Sequence, residues 1–573
     1  LISYTANALR EFNYQADNLI SAGVYLRSIA PYDVKTGGNT YGIDTLVNKN
    51  NVISGNYISG FGYGVVDLGI GILKKPLSDY IITFYNKNNT IEKNVMTNLG
   101  FAGVYMGFEN NSKIERNRID NVQNTSLGTA AGIYLGGKLA KNYFGYHNTD
   151  ISINGNEISN IKSSVNIYGI FIDQTGFNFG TGQNTQFFPE TDDNITIINN
   201  IVRDMNVTSA STNQYGVVVM PSRNPLLLGN TLNKTPYLDY YYVKNVKISN
   251  NTIILDDQNE EFIQNNGEIA ALGLAQVLNS EVVNNAIAVK DQLITANNPL
   301  AAAVFYYNPM PAEANVIMNN NVFWIKQSTA DLARFIETTM DMNIYENGSA
   351  REFTRLDQWQ AWTGQELKSV EIYNFINDLE IVTSTPNKLR AKSNPVPTGS
   401  VLDGRGLTLD YVPTDLDGNP RGYAGHRYDV GAEQFTGKPY VVDVEMLNYT
   451  QPLVYQATTG FPFDDAQYIM TKAPIEVKAQ IRNNGTNMQS GIIATLNIYR
   501  ESNNNRFDDG KIVLTTSKKV DNLMPGEIRE ITFDLADGVE PDFVPKAYSS
   551  FNGTADAYTN IPTPFVKMIG NVT

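Results

Sequence analysis

The acidic and imidazole side chains that could carry out hydrolysis are few and poorly placed in this 573-residue sequence. Cleavage of a glycosidic bond needs two carboxyl groups held roughly 5 to 10 Å apart. The best pair is Asp192 and Asp193, but adjacent strand residues point to opposite faces and could not readily serve one reaction centre. His147 and His426 are the only histidines, and neither has a Ser and an acid at the spacing of a catalytic triad.

Basic side chains near carboxylates would suit a different reaction, elimination from a uronic-acid polymer, in which Arg or Lys acts as the base. The available candidates are Arg203 with its neighbour Asp204, and Lys244 with Lys247. Such a site also needs carboxylates that hold calcium, and no acidic cluster at calcium-ligand spacing accompanies these residues. We therefore interpret them as solvated surface side chains.

Two oxygen-rich turns, at residues 415–419 and 503–510, raise the question of a metal. Neither has the sixth-place Gly and the late Glu of the twelve-residue EF-hand loop. Asn, Asp and Gly also form turns without any ion. The sequence therefore predicts no cofactor, with calcium at these turns as the alternative left open.

Aromatic residues are concentrated in three long segments, 136–150, 173–193 and 220–243. Rings on neighbouring loops could stack on sugars or dock a protein partner. The alternative is that long loops bury their own rings against the rest of the protein. The candidate binding residues are Tyr143, Phe144, Tyr146, Phe177, Phe179, Phe187, Phe188, Tyr237, Tyr240, Tyr241 and Tyr242.

These segments interrupt a phrase that recurs through the first half of the chain. One copy reads Ile91, Asn94 and Met96, followed by Gly103 and an apolar run. Short β-branched runs bounded by Asn, Gly and Ser indicate strand, turn and strand, and the uneven spacing of the copies fits one coil plus a variable loop. The insertions are expected after the second strand of each coil, along one edge, at residues 67–88, 136–150, 173–193, 220–243 and 256–267.

The fixed Asn of the repeat suits the corner of a coil. Asn tolerates the left-handed backbone region, and its amide can donate to one neighbouring coil while it accepts from the other. The apolar residues three before and two after each Asn should then point inward and form a continuous core. The predicted ladder consists of Asn56, Asn94, Asn117, Asn156, Asn200, Asn251, Asn285 and Asn321.

This pattern resembles the right-handed parallel β-helix of the pectate-lyase type. Residues 356–369 resemble the "Leu-x-x-Trp-Gln-x-x-x-Gly-x-Asp-x-x-Ser" segment near the end of secreted bacterial β-helix proteins, with Glu366 in place of the Asp. Residues 415–421 and 429–433 resemble the closing motifs of the same group. The resemblance implies that these segments finish the solenoid, which makes Asp429 and Glu433 structural.

The sequence changes character after a plausible linker at residues 437–439. Ile475, Val477, Ala479 and Ile481 alternate with polar residues, as in an antiparallel sheet with one buried face. Residues 440–573, through the stretches around 483–486 and 523–527, resemble the bacterial cell-adhesion-related Ig-like sandwich. The predicted fold is all-β, with β-helix coils in 1–325, terminal coils and a closing cap in 326–436, and an Ig-like β-sandwich in 437–573.

Composition excludes several classes of function. A net charge of −15 and a pI of about 4.8 argue against nucleic acid and anionic membrane surfaces, both of which need a basic face. The absence of Cys excludes disulfides, thiolate metal sites and cysteine nucleophiles. No apolar run is long enough to span a bilayer.

We therefore expect a non-catalytic extracellular or bacterial cell-surface protein, a structural component or adhesin that displays loops from a rigid solenoid to a glycan or another surface protein. The overall resemblance is to large substrates of type IX secretion. Because no capping segment is visible before Leu1, the chain is expected to be a piece of a larger secreted protein. The alternatives are a polysaccharide lyase or hydrolase, and a subunit of an extracellular filament or sheath.

Overall fold

The computed structural model covers the whole chain. The residues that it describes are 2–3, 21–27, 47–69, 71–74, 81–124, 128–136, 148–174, 177–178, 186–187, 193–209, 212–220, 242–256, 267–290, 301–325, 331–337, 351–372, 381–382, 388–389, 402–422, 428–434, 444–451, 477–483, 487–500, 511–525, 527–533 and 564–571.

Three long sheets dominate the structure up to residue 372. Sheet 1 consists of Ile2–Ser3, Tyr57–Ser59, Val95–Leu99, Arg118–Asn124, Glu157–Ser163, Ile201–Val202, Met205–Val207, Thr252–Asp256, Ala286–Lys290, Val322–Ile325 and Val370–Ile372. Sheet 2 consists of Ala22–Arg27, Tyr63–Leu68, Ala102–Gly107, Thr129–Leu135, Asn166–Ile172, Asn213–Val219, Ile269–Ala275, Ala301–Asn308, Asp331–Glu337 and Arg351–Phe353. Sheet 3 consists of Val52–Ser54, Thr90–Glu92, Lys113–Glu115, Ser152–Asn154, Thr196–Ile198, Lys247–Ser249, Ser280–Val283 and Val316–Asn319.

Each coil of the chain contributes one strand to sheet 3, then to sheet 1, then to sheet 2. Equivalent residues of successive coils pair in parallel register, as Ile91, Ile114 and Ile153 do in sheet 3. An antiparallel pairing ends sheet 2, where Arg351–Phe353 joins Asp331–Glu337. The fold is therefore all-β with long parallel sheets, as in a β-helix-like solenoid, and this part of the fold prediction is confirmed.

The remaining elements are short or lie late in the chain. The helices are Pro311–Ala314 and Leu356–Thr363. The short parallel pairs are Asn86–Lys87 with Glu109–Asn110 and Val243–Lys244 with Val277–Leu278. The antiparallel pairs are Gly71–Lys74 with Ile81–Phe84, Phe177–Asn178 with Gln186–Phe187, and Ile381–Val382 with Lys388–Leu389. Two antiparallel sheets follow, Val444–Gln451, Val477–Asn483 and Ile528–Phe533 in one, and Lys511–Val520, Ile492–Arg500 and Pro564–Asn571 in the other.

The core of the solenoid is built from the apolar residues that flank each ladder asparagine. The residue three before and the residue two after are buried in all eight copies, from Ile53 and Ile58 to Met318 and Phe323. Strand residues between them point outward, because side chains alternate along a strand. The predicted inward positions are thus confirmed.

Glycines in sheet 2 make room for these inward side chains. A Cβ added to Gly132 would lie 2.4 Å from Cγ2 of Ile158 and 2.6 Å from the main-chain oxygen of Gly169. Gly103 meets Ile119 in the same way. The Gly that recurs in the sheet 2 strands is therefore a packing position, at which side chains of sheet 1 approach the backbone of sheet 2.

The predicted asparagine ladder is present at the corner between sheets 3 and 1. The Nδ2 group of each ladder asparagine donates to Oδ1 of the next one at 2.9 to 3.0 Å, from Asn56 to Asn321 without a gap. From Asn94 onward, Nδ2 also donates to a main-chain oxygen of the preceding coil. Buried amides are thus bonded to both neighbouring coils, which satisfies them in a dry environment.

The prediction that the ladder asparagine itself adopts the left-handed backbone conformation is wrong. The residue with the left-handed backbone is the one before each ladder asparagine, such as Lys93 at φ 54°, Arg116 at φ 54° and Asn199 at φ 55°. The ladder asparagine itself is not among the residues with positive φ. Asn is therefore needed here for its amide, and the turn conformation is supplied one residue earlier.

The ladder ends on the segment that resembles the terminal motif of β-helix proteins. Asn321 Nδ2 donates to both carboxylate oxygens of Glu366, at 2.9 and 3.0 Å, and Asn321 N donates to Ser369 Oγ at 2.8 Å. The helix Leu356–Thr363 precedes these residues and buries Trp359 completely. The Trp359 ring contacts Phe335, so the helix covers the apolar end of the coil stack.

Residues 402–422 and 428–434, here called the strap, run along the outside of the coils. Asn320, Asn284 and Asn199, which belong to different coils, each donate from Nδ2 to a main-chain oxygen of the strap at 2.8 to 2.9 Å. The strap therefore crosses the stacked coils instead of adding further coils to their end. The domain boundaries at residues 325 and 436 stay predictions.

Apolar contacts hold the strap against the outer face of sheet 3. Leu409, Val412 and Tyr428 of the strap form one buried cluster with Ile198 and Val283 of the sheet. These two sheet residues are outward-facing positions of different coils, and a solvated apolar column would be unfavourable. The strap thus buries one of the outward columns of sheet 3.

Candidate functional site

The long insertions leave the solenoid at one edge, as the spacing of the repeat predicts. The strands that precede segments 136–150, 173–193 and 220–243 end at Leu135, Ile172 and Val219. These three residues pair with one another in register in sheet 2. Neighbouring strands lie about 4.8 Å apart, so the three segments start side by side.

Segment 256–267 is an exception to that prediction. It follows Thr252–Asp256 of sheet 1 and precedes Ile269–Ala275 of sheet 2. It therefore leaves the coil at a different corner, between the first and second sheets. Sequence reasoning did not predict this because the sheet 2 strand of that coil has Ala271 where the preceding coils have Gly.

Most of the predicted aromatic binding residues lie outside the described residues. Tyr242 is described and half-buried. The backbones of Phe177 and Phe187 pair in a short antiparallel ladder, so segment 173–193 folds back on itself there. The residues outside the described part are Tyr143, Phe144, Tyr146, Phe179, Phe188, Tyr237, Tyr240 and Tyr241. The binding role of all eleven residues stays a prediction.

A different set of aromatic rings lines the outer face of sheet 2. Tyr105 and Tyr134 stack with centroids 5.1 Å apart, and Tyr168 and Tyr215 stack at 5.6 Å. All four rings are buried, and Tyr134 donates from its hydroxyl to Asp173 Oδ2 at 2.6 Å. Burial raises the pKa of each of the hydroxyls of Tyr134, Tyr168 and Tyr215 well above its ordinary value. These four rings are neutral packing groups, one from each of four coils, and Tyr105 pairs in register with Tyr134 as Tyr168 does with Tyr215.

Three of the side chains considered for catalysis are bonded within the scaffold, and Asp192 lies outside the described residues. Arg203 and Asp204 are both buried and form an ion pair with each other. Burial lowers the pKa of Arg203 to about 10, which leaves it charged near neutral pH. Asp193 is buried and accepts hydrogen bonds from Lys244 N at 2.7 Å and Gln174 Nε2 at 3.1 Å.

Two buried carboxyl groups that sequence reasoning missed face each other near the corner between sheets 2 and 3. Asp67 and Glu109 are fully buried, and one oxygen of each, Oδ2 and Oε1, has no donor among the described residues. Asn86 Nδ2 donates to Asp67 Oδ1 at 2.8 Å, and Ser112 Oγ donates to Glu109 Oε2 at 2.8 Å.

Burial is the main cause of both pKa shifts. It raises the pKa of Asp67 to about 6 and raises the pKa of Glu109 well above its ordinary value. The neighbouring charge of Asp67 adds to the shift of Glu109. Two close carboxylates cannot both ionise in a dry site, so this pair holds a proton in the folded protein.

The oxygen-rich turn at residues 415–419 is closed by its own hydrogen bonds. Asp415 accepts from Asn419 N at 2.8 Å and Asn419 Nδ2 at 3.1 Å, and Gln434 N donates to it at 3.1 Å. The described residues hold no group of three or more His, Cys, Asp or Glu side chains that could bind a metal ion. Residues 503–510 lie outside the described residues, so calcium there stays an open prediction.

An open groove of about 500 Å³ crosses four coils on the outer face of sheet 3, beside the strap. We call it the axial groove. Its floor is one column of outward side chains in register, Thr196, Lys247, Glu281 and Ile317. The column runs in the direction in which the coils stack, so the groove is parallel to the axis of the solenoid.

Asparagines at the turns before sheet 3 form one wall of the axial groove. Asn194, Asn245, Asn279 and Asn315 have φ between 50° and 58°, so each occupies the left-handed turn of its coil. Tyr411 of the strap contacts two residues of the groove floor, Lys247 and Glu281. The Lys247 ammonium lies 4.2 Å from the centroid of that ring.

No protein-family model, no curated protein and no solved structure matches this chain. No helix among the described residues is long and apolar enough to cross a bilayer.

Proposed function

We propose that this protein is a non-catalytic extracellular or bacterial cell-surface protein, a structural component or adhesin whose rigid solenoid displays loops to a glycan or to another surface protein. The observation that carries the proposal is the register of Leu135, Ile172 and Val219, from which three long aromatic segments start at one edge. Loops held side by side by a rigid scaffold can act as one contact surface.

The polar groups of the scaffold support this role because they join coils to one another. The asparagine ladder links eight coils through buried amides, and its last member is bonded to Glu366. Arg203, Asp204 and Asp193, which an enzyme of this shape could use, make hydrogen bonds or ion pairs inside the same scaffold. A stiff display element needs such cross-links more than it needs reactive groups.

The finer features of the fold belong to the same proposal. Connections between parallel strands are right-handed in nearly all proteins, which supports a right-handed β-helix of the pectate-lyase type. Two antiparallel sheets offer the two layers of an Ig-like sandwich. One consists of strands 444–451, 477–483 and 528–533, and the other of strands 492–500, 511–520 and 564–571. A secreted bacterial surface protein exported by type IX secretion would combine these parts. A crystal structure would test the handedness and the sandwich directly.

An attachment assay tests the display role. Beads coated with the protein should adhere to cells or to extracellular matrix, and the combined change of Phe177, Phe179, Tyr241 and Tyr242 to Ser should weaken the adhesion. The control combines Tyr57→Ser and Val95→Ser, which alter exposed apolar residues on the outer face of sheet 1. Circular dichroism should show the same strand content in all three proteins. Unchanged adhesion of the fourfold variant would remove the insertion edge from the proposal.

A polysaccharide lyase or hydrolase is the second candidate, and the axial groove is the observation that favours it. Lys247 and Glu281 are adjacent in register on the groove floor, so a basic and an acidic group face the same open channel. Incubation with pectins, alginates and other uronic-acid polymers decides between the two functions. New ultraviolet absorbance from double bonds, or new reducing ends, lost in Lys247→Ala, would replace the display role with catalysis.

A further inference from the structure

The axial groove presents hydrogen-bonding groups at the period of the coils. One floor residue and one wall asparagine come from each of four successive coils, which stack about 4.8 Å apart. A compact ligand would touch one or two coils, whereas an extended polymer could use the same kind of group repeatedly.

The amides of the wall keep unused bonding capacity at the centre of the groove. Asn245 Nδ2 donates to Asn194 Oδ1 at 3.2 Å, and Asn315 Nδ2 donates to Asn279 Oδ1 at 3.1 Å. The chain of bonds is broken between these two pairs. Within the described residues, Asn245 Oδ1 and Asn279 Nδ2 have no hydrogen-bond partner, so an acceptor and a donor face solvent side by side.

The remaining surface of the groove is mixed in character. Lys247 and Glu281 supply opposite charges, and Ile317 is 55% exposed and supplies an apolar contact. Tyr411 donates from its hydroxyl to Glu281 at 3.0 Å and thereby fixes the carboxylate beside the strap. A surface of this kind has no excess of positive charge for a polyanion, in a protein whose net charge is −15.

A peptide is a poorer match than a hydroxyl-rich chain. The main-chain groups of sheet 3 are used in pairing between coils, so an incoming peptide could not add a strand to this face. Sugar hydroxyls both donate and accept, as amide side chains do, and the apolar faces of sugar rings pack on exposed aliphatic or aromatic groups.

We infer that the axial groove is a binding site for a neutral linear glycan that lies along the solenoid axis, with Asn245 and Asn279 bonded to its hydroxyls and Ile317 packed against a sugar ring. The wall of the site adjoins the insertion edge, because Asn194 and Asn245 follow segments 173–193 and 220–243 in the chain. This site rests on the proposed function only in taking a glycan as partner.

Isothermal titration calorimetry with cellohexaose, xylohexaose, maltohexaose and chitohexaose tests the inference. At least one of these neutral oligosaccharides should bind the wild-type protein saturably. Ile317→Ser should remove the apolar contact with a sugar ring and weaken that binding by at least about tenfold. Asn279→Gly should weaken it as well, since it removes the free donor while glycine accepts the left-handed turn.

The chain offers a matched control for each variant. Val52 occupies the same outward column of sheet 3 but lies in a coil outside the groove and is 66% exposed, so Val52→Ser should bind like the wild type. Asn111 has φ 54° and donates to Asn88 at 2.8 Å, so Asn111→Gly also loses one exposed amide bond, away from the groove. It should keep wild-type affinity.

Several results would overturn the inference. They are an absence of saturable binding with all four oligosaccharides, equal affinity in Ile317→Ser, and preferential binding of polygalacturonate. Loss of oligosaccharide binding together with intact bead adhesion would refute this site and leave the display role in place. Binding in the groove without any adhesion would do the reverse.

Discussion

At the scale of single residues, the ladder asparagines replace a solvated corner by hydrogen bonds between coils. Asn156 donates to Asn200 Oδ1 from both its main-chain N and its Nδ2, and it donates to the oxygen of Ile114. Asn117 donates to Asn156 Oδ1 through two groups at 3.0 Å. Each amide therefore serves three coils, and its loss would leave buried main-chain groups unpaired.

The change Asn156→Leu should accordingly lower the free energy of unfolding by about 1 to 3 kcal/mol. Denaturant titration followed by circular dichroism measures the change. The control is Asn154→Leu on the outer face of sheet 3, where the side chain is partly solvated and the cost should stay below about 0.5 kcal/mol. Equal effects of the two substitutions would show that the ladder does not stabilise the coil.

The buried pair of Asp67 and Glu109 makes stability depend on pH. Both folded pKa values are raised, so the folded protein keeps a proton that the unfolded chain releases. The stabilisation by this pair is therefore complete below about pH 4 and is lost as pH rises through about 6 and above. Each pair member is influenced electrostatically by the other, and the neighbouring Asn86, Asn89 and Ser112 are neutral.

Stability should therefore fall in the wild type as pH rises from about 4 through about 6 and above, with a slope of at most about 1.4 kcal/mol per pH unit for each of the two raised carboxyl groups. Glu109→Gln removes one ionisable group and supplies a donor for Asp67, so it should flatten the profile. Glu115→Gln, in the same coil and only half-buried, is the control and should keep the wild-type profile. Thermal melts at a series of pH values test this, and identical profiles for all three proteins would refute the shared proton.

At the scale of elements, the strap joins coils that are far apart in sequence. Arg421 is buried and donates to Asn199 Oδ1 at 2.7 Å and to the oxygen of Gly431 at 2.8 Å. Burial lowers the pKa of its guanidinium to about 10, so it stays charged at neutral pH. Arg421 therefore links the two halves of the strap to the side of sheet 3.

Arg421→Met should loosen the strap, because it leaves Asn199 Oδ1 and the main-chain oxygens of Asp429 and Gly431 without their charged donor. A hydrogen bond to a charged group typically contributes about 1.5 to 3 kcal/mol, and the three contributions are not additive. Limited proteolysis should then cut residues 402–434 sooner than in the wild type. Arg405→Met is the control, since Arg405 is exposed and bonds to Asn320 through its main-chain oxygen. Equal protection in both variants would mean that apolar packing alone holds the strap.

The repeat explains why sequence reasoning identified the ladder and the core of the coils but not the strap. Coil residues recur at fixed places around each Asn, so their common role is visible in one sequence. The main-chain oxygens of Arg405, Leu407 and Thr414 accept hydrogen bonds from the coils. A main-chain acceptor does not require a particular residue type, so these contacts cannot be recognised in the sequence. Asp67 and Glu109 were missed for a related reason, since they come from different coils and have no equivalent partners in other copies.

At the scale of the whole molecule, the solenoid provides two surfaces that adjoin each other at the turns before sheet 3. The insertion edge follows sheet 2, and the axial groove lies on sheet 3 beside the strap. Both are carried by coils whose register is set by the same ladder. A partner bound at either surface would therefore meet groups repeated at the coil spacing, and a multivalent partner could engage several coils together.

The ladder also has a direction. From Asn94 to Asn321, each ladder carbonyl accepts from the preceding coil, so the side-chain dipoles point the same way and leave their positive end at Asn321. The group that receives this end is the carboxylate of Glu366. The coil stack is in this sense an electrically polar rod whose positive pole meets a buried carboxyl group, and burial raises the pKa of that group to about 7. Such a rod cannot be turned round or extended equally at both ends, because a coil added at one pole would meet donors and a coil added at the other would meet acceptors.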